Sequence, residues 1–163
     1  MTTTSAASGP PASPPDMPPA QLEAWRTFLE AHARSVEVLT RELKEAEGLP
    51  LTWYDVLVQL HEAPEHRLRM QELADAVLLS KSGVTRLVDR MERDGLVVRR
   101  RCADDRRGTF AELTDAGRQR LRATAPTHLE GVQRYFTALL DDAEAETLTA
   151  LLSRVLAATR DAG

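Results

Sequence analysis

From Gln21 to Ala46 the side chains Leu22, Trp25, Leu29, His32, Val36, Leu39 and Leu43 recur in alternating steps of three and four. That is a heptad seam on one long helix, ended by Gly48-Leu49-Pro50, and it predicts a partner helix along its length. Thr52 is placed to cap a second, short helix with Trp53, Val56, Leu57 and Leu60 inward and Pro64 as its stop. RLRM (Arg67 to Met70) reads as a brief extended piece, and Gln71 to Val77 as a short helix with Leu73, Ala74 and Val77 inward. Ser80 is a good N-cap for a helix from Lys81 to Arg93, and Gly95 stands where a C′ glycine belongs. Two strands, Leu96 to Arg101 and Gly108 to Leu113, enclose an Asp/Arg-rich turn. Thr114 caps a further helix that extends toward Leu140 with Pro126 bending or breaking it. A last helix, Asp142 to Thr159, carries Leu148, Leu151, Leu152, Val155 and Leu156 on one stripe.

The fold class is therefore mainly α with a small β-hairpin wing. A short helix, a tight connection, a second helix and a hairpin make a winged helix-turn-helix. On a helical wheel, Val84, Leu87, Val88 and Met91 of the second helix share the core side. Ser82, Thr85, Arg86, Asp89 and Arg90 share the other, with Lys81 at the N-terminal end. Hydroxyl and guanidinium groups on such a face suit base edges and phosphates in a major groove.

Charge sharpens this reading. The chain carries a formal −4 at neutral pH, yet from Lys81 to Arg107 nine basic side chains against five acidic ones leave +4. The positive field is concentrated on one element, the footprint expected of a nucleic-acid-binding surface. At the hairpin tip, Arg106 and Arg107 can enter a narrow minor groove, with Asp105 orienting Arg107.

Composition sets the remaining bounds. Residues 1–19 are mostly Thr, Ser, Ala and Pro, with six of the chain's nine prolines, a tail expected to be disordered. No apolar run approaches a membrane span and the N-terminus lacks a signal-peptide pattern; with a single cysteine, Cys102, a cytoplasmic protein is expected. HEAPEH (His61 to His66) fails the zincin pattern, because its histidines are five apart and Pro64 interrupts the helix. No metal site, cofactor or enzyme constellation is read anywhere: phosphate loop, nucleophile elbow and clustered catalytic residues are all missing.

LTWYDVLVQLHEAP, RMQELADAVLLSKSGVTRLVDRMERDGLVVRR, DDRRG and ELTDAGRQRL, in this order, resemble the MarR (multiple antibiotic resistance regulator) family of transcription factors over about residues 20 to 160. The resemblance implies a homodimer built from helices in residues 20–47 and 115–160, a winged-helix lobe over 50–113, and a pseudo-palindromic DNA operator. It places Lys81, Ser82, Thr85, Arg86, Arg90, Arg106 and Arg107 on DNA. Ala103 stands where the family often has proline, which implies a looser wing. Family members commonly bind small aromatic acids or phenols between the dimer helices and the DNA-binding lobe, and Trp25, His32 and Trp53 are the residues offered here for such a pocket. For His32 an interface histidine, and for Trp53 a core position, are the plainer alternatives. Cys102, flanked by Arg100 and Arg101 that would lower a thiol pKa, is read as incidental, with oxidant sensing as its alternative. The function expected is a ligand-relieved repressor. The alternative is a winged-helix module that binds protein without an operator.

Overall fold

The computed structural model describes residues 17–101 and 108–160. Six α-helices are present, α1 (Pro19–Glu47), α2 (Leu51–Glu62), α3 (Met70–Ala76), α4 (Lys81–Arg93), α5 (Asp115–Tyr135) and α6 (Asp142–Arg160), with strands β1 (Arg67–Arg69), β2 (Val97–Arg101) and β3 (Thr109–Leu113). The chain divides into two compact units within α1, one up to Arg34 and one from Ser35 onward.

In the second unit, α2, α3 and α4 pack with the sheet around one apolar core. Leu43, Val56, Leu57, Leu60, Leu73, Val88 and Met91 are buried in it. The three strands run antiparallel in the order β1-β3-β2. The predicted hairpin is the β2–β3 pair, in the register Val97 to Leu113 and Arg101 to Thr109. The brief extended piece is its third strand, with Leu68 opposite Ala111.

Local chemistry explains most boundaries. Ser80 Oγ accepts from the Gly83 amide at 3.1 Å and opens α4. Gly95 follows α4 at φ 74°, a conformation glycine adopts without penalty. Thr114 Oγ1 accepts from the Gly117 amide at 3.0 Å and donates to the carbonyls of Gly95 (2.7 Å) and Leu96 (2.9 Å), so one hydroxyl caps α5 and ties it to the entry of β2. Gly117 is needed at that junction, because a Cβ there would lie 2.2 Å from the Leu96 carbonyl oxygen.

Three expectations change. Thr52 does not cap α2: Pro50 is the N-cap, its carbonyl accepting from the amides of Trp53 (2.9 Å) and Tyr54 (3.2 Å). Helix α5 passes through Pro126 without breaking, since a proline removes one backbone bond while the turns around it keep theirs and Leu121 and Thr124 stay buried. It then ends at Tyr135 rather than near Leu140, where Phe136 leaves helical geometry before the single 3-10 turn Thr137–Leu139.

Candidate nucleic-acid interface

Helix α4 presents the two faces its wheel implies. Val84, Leu87, Val88 and Met91 are at most 4% exposed, whereas Lys81, Ser82, Thr85, Arg86 and Arg90 are exposed. The polar groups are partly oriented from within the helix. Thr85 Oγ1 donates to the Lys81 carbonyl at 2.8 Å, which leaves its lone pairs outward. Ser82 Oγ lies 3.2 Å from Ser80 Oγ. Arg90 Nε donates to the Arg86 carbonyl at 3.3 Å, laying that side chain back along the helix. Among the described residues no carboxylate pairs with Lys81, Arg86 or Arg90, so their charge is available to an anion.

Arg99 behaves differently from the arginines beside it. Its guanidinium donates to Asp89 Oδ1, to Glu92 Oε2 at 3.2 Å and to the Thr85 carbonyl at 3.0 Å. Its backbone amide donates to Glu92 Oε1 at 2.8 Å. Strand β2 is thereby fastened along the flank of α4. Asp89, which the wheel puts on the outer face, is thus paired with Arg99 across the junction of α4 and β2. Arg100, on the opposite side of the strand, faces Glu112 at 3.7 Å.

Beside the N-terminal turn of α4 a groove of about 320 Å³ is lined by Arg69, Gln71, Lys81, Thr85 and Thr109 among others. Arg67 and Arg69 also lie over the Phe110 ring, 5.1 and 5.4 Å from its centroid. The sequence reading missed this extension of the surface onto β1. Its signal was the pair of arginines in RLR, which alternate onto one face of a strand. Asp105, Arg106 and Arg107, like Cys102 and Ala103, lie outside the described residues.

Trp25 and His32 lie along α1 with Phe28 between them, ring centroids 6.1 and 6.4 Å apart, and both are exposed. Trp53 is half-buried against the core. A cavity of about 690 Å³ opens between α2, α3 and α5, lined by Tyr54, Asp55, Val58, Leu78, Arg122 and His128 among others. Tyr54 and His128 pack ring against ring at 4.4 Å, and His128 Nδ1 is buried with no hydrogen-bond partner among the described residues. Desolvation holds the His128 imidazole below its ordinary pKa and raises the Asp55 carboxyl. The Tyr54 phenol is raised by burial and then by the charges of Asp55 and Glu62. Sequence inspection passed over these residues because they come together only in the fold, from helices some seventy positions apart.

Of the histidines of HEAPEH, His61 lies in the last turn of α2 and His66 in the 3-10 turn Pro64–His66, where Glu65 and His66 have positive φ. Their rings stack in parallel at 5.4 Å, and His66 Nδ1–H donates to the His61 carbonyl at 2.8 Å.

Comparison with known proteins fits this arrangement. The MarR family model matches residues 47–108, which contain α2 through β2. The chain is 32% identical over 133 residues to YkoM, an uncharacterised HTH-type transcriptional regulator of Bacillus subtilis, covering 82% of this chain and 84% of that one. The chain belongs to the MarR family. The structure of AbsC, a MarR family transcriptional regulator from Streptomyces coelicolor, superposes with a TM-score of 0.84 at 35% identity, over 91% of this chain and 99% of that one. Sco3205, a MarR family regulator of the same organism solved in complex with DNA, gives 0.82 at 35% identity, over 88% and 90%. This MarR family member is a winged-helix transcriptional regulator and not an enzyme. No described helix is long and apolar enough to cross a membrane.

Proposed function

We propose that this regulator binds a pseudo-palindromic DNA operator as a homodimer, represses from it, and is released by a small molecule. The observation that carries the DNA reading is the outer face of α4, where Lys81, Ser82, Thr85, Arg86 and Arg90 stand exposed above a buried apolar face. Two such helices enter successive major grooves about one helical turn apart. Arg106 and Arg107, with Asp105 orienting the latter, reach the flanking minor groove. The complex of Sco3205 with DNA supports the partner class.

Dimerisation is assigned to residues 20–47 and 115–160, with 50–113 as the DNA-binding lobe. Supporting this, Trp25, Phe28 and Leu29 of α1, and Leu151, Val155 and Leu156 of α6, are 41–54% exposed, apolar stripes that a single chain leaves uncovered. Release by a ligand is supported by the 690 Å³ cavity, whose wall includes Val77 and Leu78 of the turn between α3 and α4. Trp25, His32 and Trp53 remain the residues that the family resemblance offers for that ligand.

Selection from a random duplex library, with the protein and its Arg86→Ala and Arg107→Ala variants, tests the reading. The expected product is an inverted repeat, weakened by each change. Arg86→Ala should cost about 1–3 kcal/mol and relax preference at one base pair. Binding should also fall steeply with added salt as counterions are released. No enrichment at low salt would replace the operator reading with a protein-binding winged helix, and a monomer in sedimentation would refute the dimer.

A further inference from the structure

We infer that the cavity between α2, α3 and α5 takes a protonated amine carried on a small aromatic body, with Asp55 as the group that pairs with it. This rests on the effector-release reading and specifies the ligand class. At about 690 Å³ the cavity is of the size that holds small organic molecules. Val58, Val77, Leu121 and Ala125 supply apolar walls and Tyr54 an aromatic one.

Its charge is predominantly negative. Asp55 and Glu62, exposed side chains on the cavity wall, have no hydrogen bond or ion pair among the described residues. Among the described residues Arg122 is the one Lys or Arg in the lining, against these two carboxylates. Surrounding protein has stripped enough water from the Asp55 carboxyl to raise its pKa, so a cation beside it would offset a cost already present. The Tyr54 phenol is raised by burial first and then by the charges of Asp55 and Glu62, and this second contribution marks a negative potential at the aromatic wall. His128 does not oppose it, because desolvation favours the neutral imidazole.

Two groups then suit one ligand. Asp55 pairs with the ammonium and the Tyr54 face attracts its positive charge. An aromatic acid, the class suggested by family resemblance, would set a third carboxylate beside two that are uncompensated. Arg122 is its one point of attraction.

The test uses two matched pairs of probes, tyramine with 4-hydroxyphenylacetate and tryptamine with indole-3-acetate. Members of a pair share ring and size, and differ in the sign of the tail. Calorimetry on the full chain, wild type and Asp55→Asn, reads binding, and a mobility-shift assay on the selected operator reads release. An amine should bind about tenfold or more tighter than its acid, and Asp55→Asn should erase that preference without lowering the melting temperature. Tighter binding of the acids, a preference unaffected by Asp55→Asn, or no binding of either class at millimolar concentration would each overturn the inference. Acids that bind and loosen the operator would overturn the amine assignment and leave effector release standing. Amines that bind through Asp55 and leave the operator complex intact would do the reverse.

Discussion

Arg99 ties α4 to β2 through three side-chain bonds, and replacing it by methionine isolates their contribution. Methionine keeps an unbranched apolar stem while removing the guanidinium and with it the bonds to Asp89, Glu92 and the Thr85 carbonyl. Charge-assisted bonds are worth about 1.5–3 kcal/mol when sheltered and about 0–1 kcal/mol in open solvent. Here the Arg99 side chain is 25% exposed, but Asp89 is 47% and Glu92 36% exposed, so each bond belongs near the lower range. Three such contacts, plus repulsion between two carboxylates no longer bridged, come to about 2 kcal/mol. For a chain of this size that is about 4–8 °C in melting temperature. Thermal unfolding followed by circular dichroism measures it. Operator affinity should fall as well, although Arg99 makes no DNA contact in this reading. A cycle with Asp89→Asn should show the two changes to be strongly non-additive. Melting within about 1 °C of wild type, together with unchanged operator affinity, would refute the fastening role.

Two further outcomes follow from the packing. Gly117→Ala places a methyl 2.2 Å from the Leu96 carbonyl oxygen and 2.7 Å from Leu113 Cδ1, both in well-packed surroundings. It should destabilise by about 3 kcal/mol or more, whereas full stability in a urea titration would mean that α5 and β2 can separate freely. His128 is held below its ordinary pKa of 6.5 by desolvation, so the folded state favours the neutral ring and the unfolded chain takes up a proton first as pH falls. The contribution is complete above pH 6.5 and is lost on acidification through that value toward the lower folded one; His128→Gln should flatten this part of the stability curve, and parallel curves for the two proteins would contradict it.

What could be read from the chain was whatever is decided locally. The Ser80 and Thr114 caps, the Gly95 stop and the buried side of α4 each depend on residues within a turn or two of one another, and all four are found in place. Thr52 misled because a capping hydroxyl looks the same wherever it falls, while Pro50 two positions earlier already supplied the extended residue and the carbonyl. The pairing of β1 with β3 joins Arg67 to Glu112, a contact across 45 positions that a three-residue segment does not advertise. Arg99 was indistinguishable from Arg100 and Arg101 as composition. Strand parity distinguishes it, since Val97 is buried and the residue two further on shares its side of the sheet. The cavity was the least legible feature. Tyr54 and Asp55 on α2 and His128 on α5 acquire their shifted titration only where the two helices shed water together.

The proposed release then has a physical route that begins at Leu78. This residue lies on the cavity wall, sits at φ 54° and is 90% exposed, an unfavourable setting for an apolar side chain without glycine's freedom. Two residues later Ser80 caps α4, and at its flank Arg99 binds the helix to β2. A ligand that shifts the Leu78 turn therefore acts on a helix that cannot tilt alone, because α4 and the sheet move as one body while the fastening holds. Release by this route would carry both recognition elements off their grooves together. It also sets an energetic demand: a tenfold loss of operator affinity requires the ligand to prefer the released form by about 1.4 kcal/mol, and a ligand that fills the cavity equally well in both forms changes nothing however tightly it binds. Weakening the fastening should divide the response. In Arg99→Met the same ligand would displace the turn while β2 stayed behind, so the ratio of operator affinities with and without ligand should shrink toward one. A ratio equal to that of the wild type would show that the signal leaves the cavity by another path.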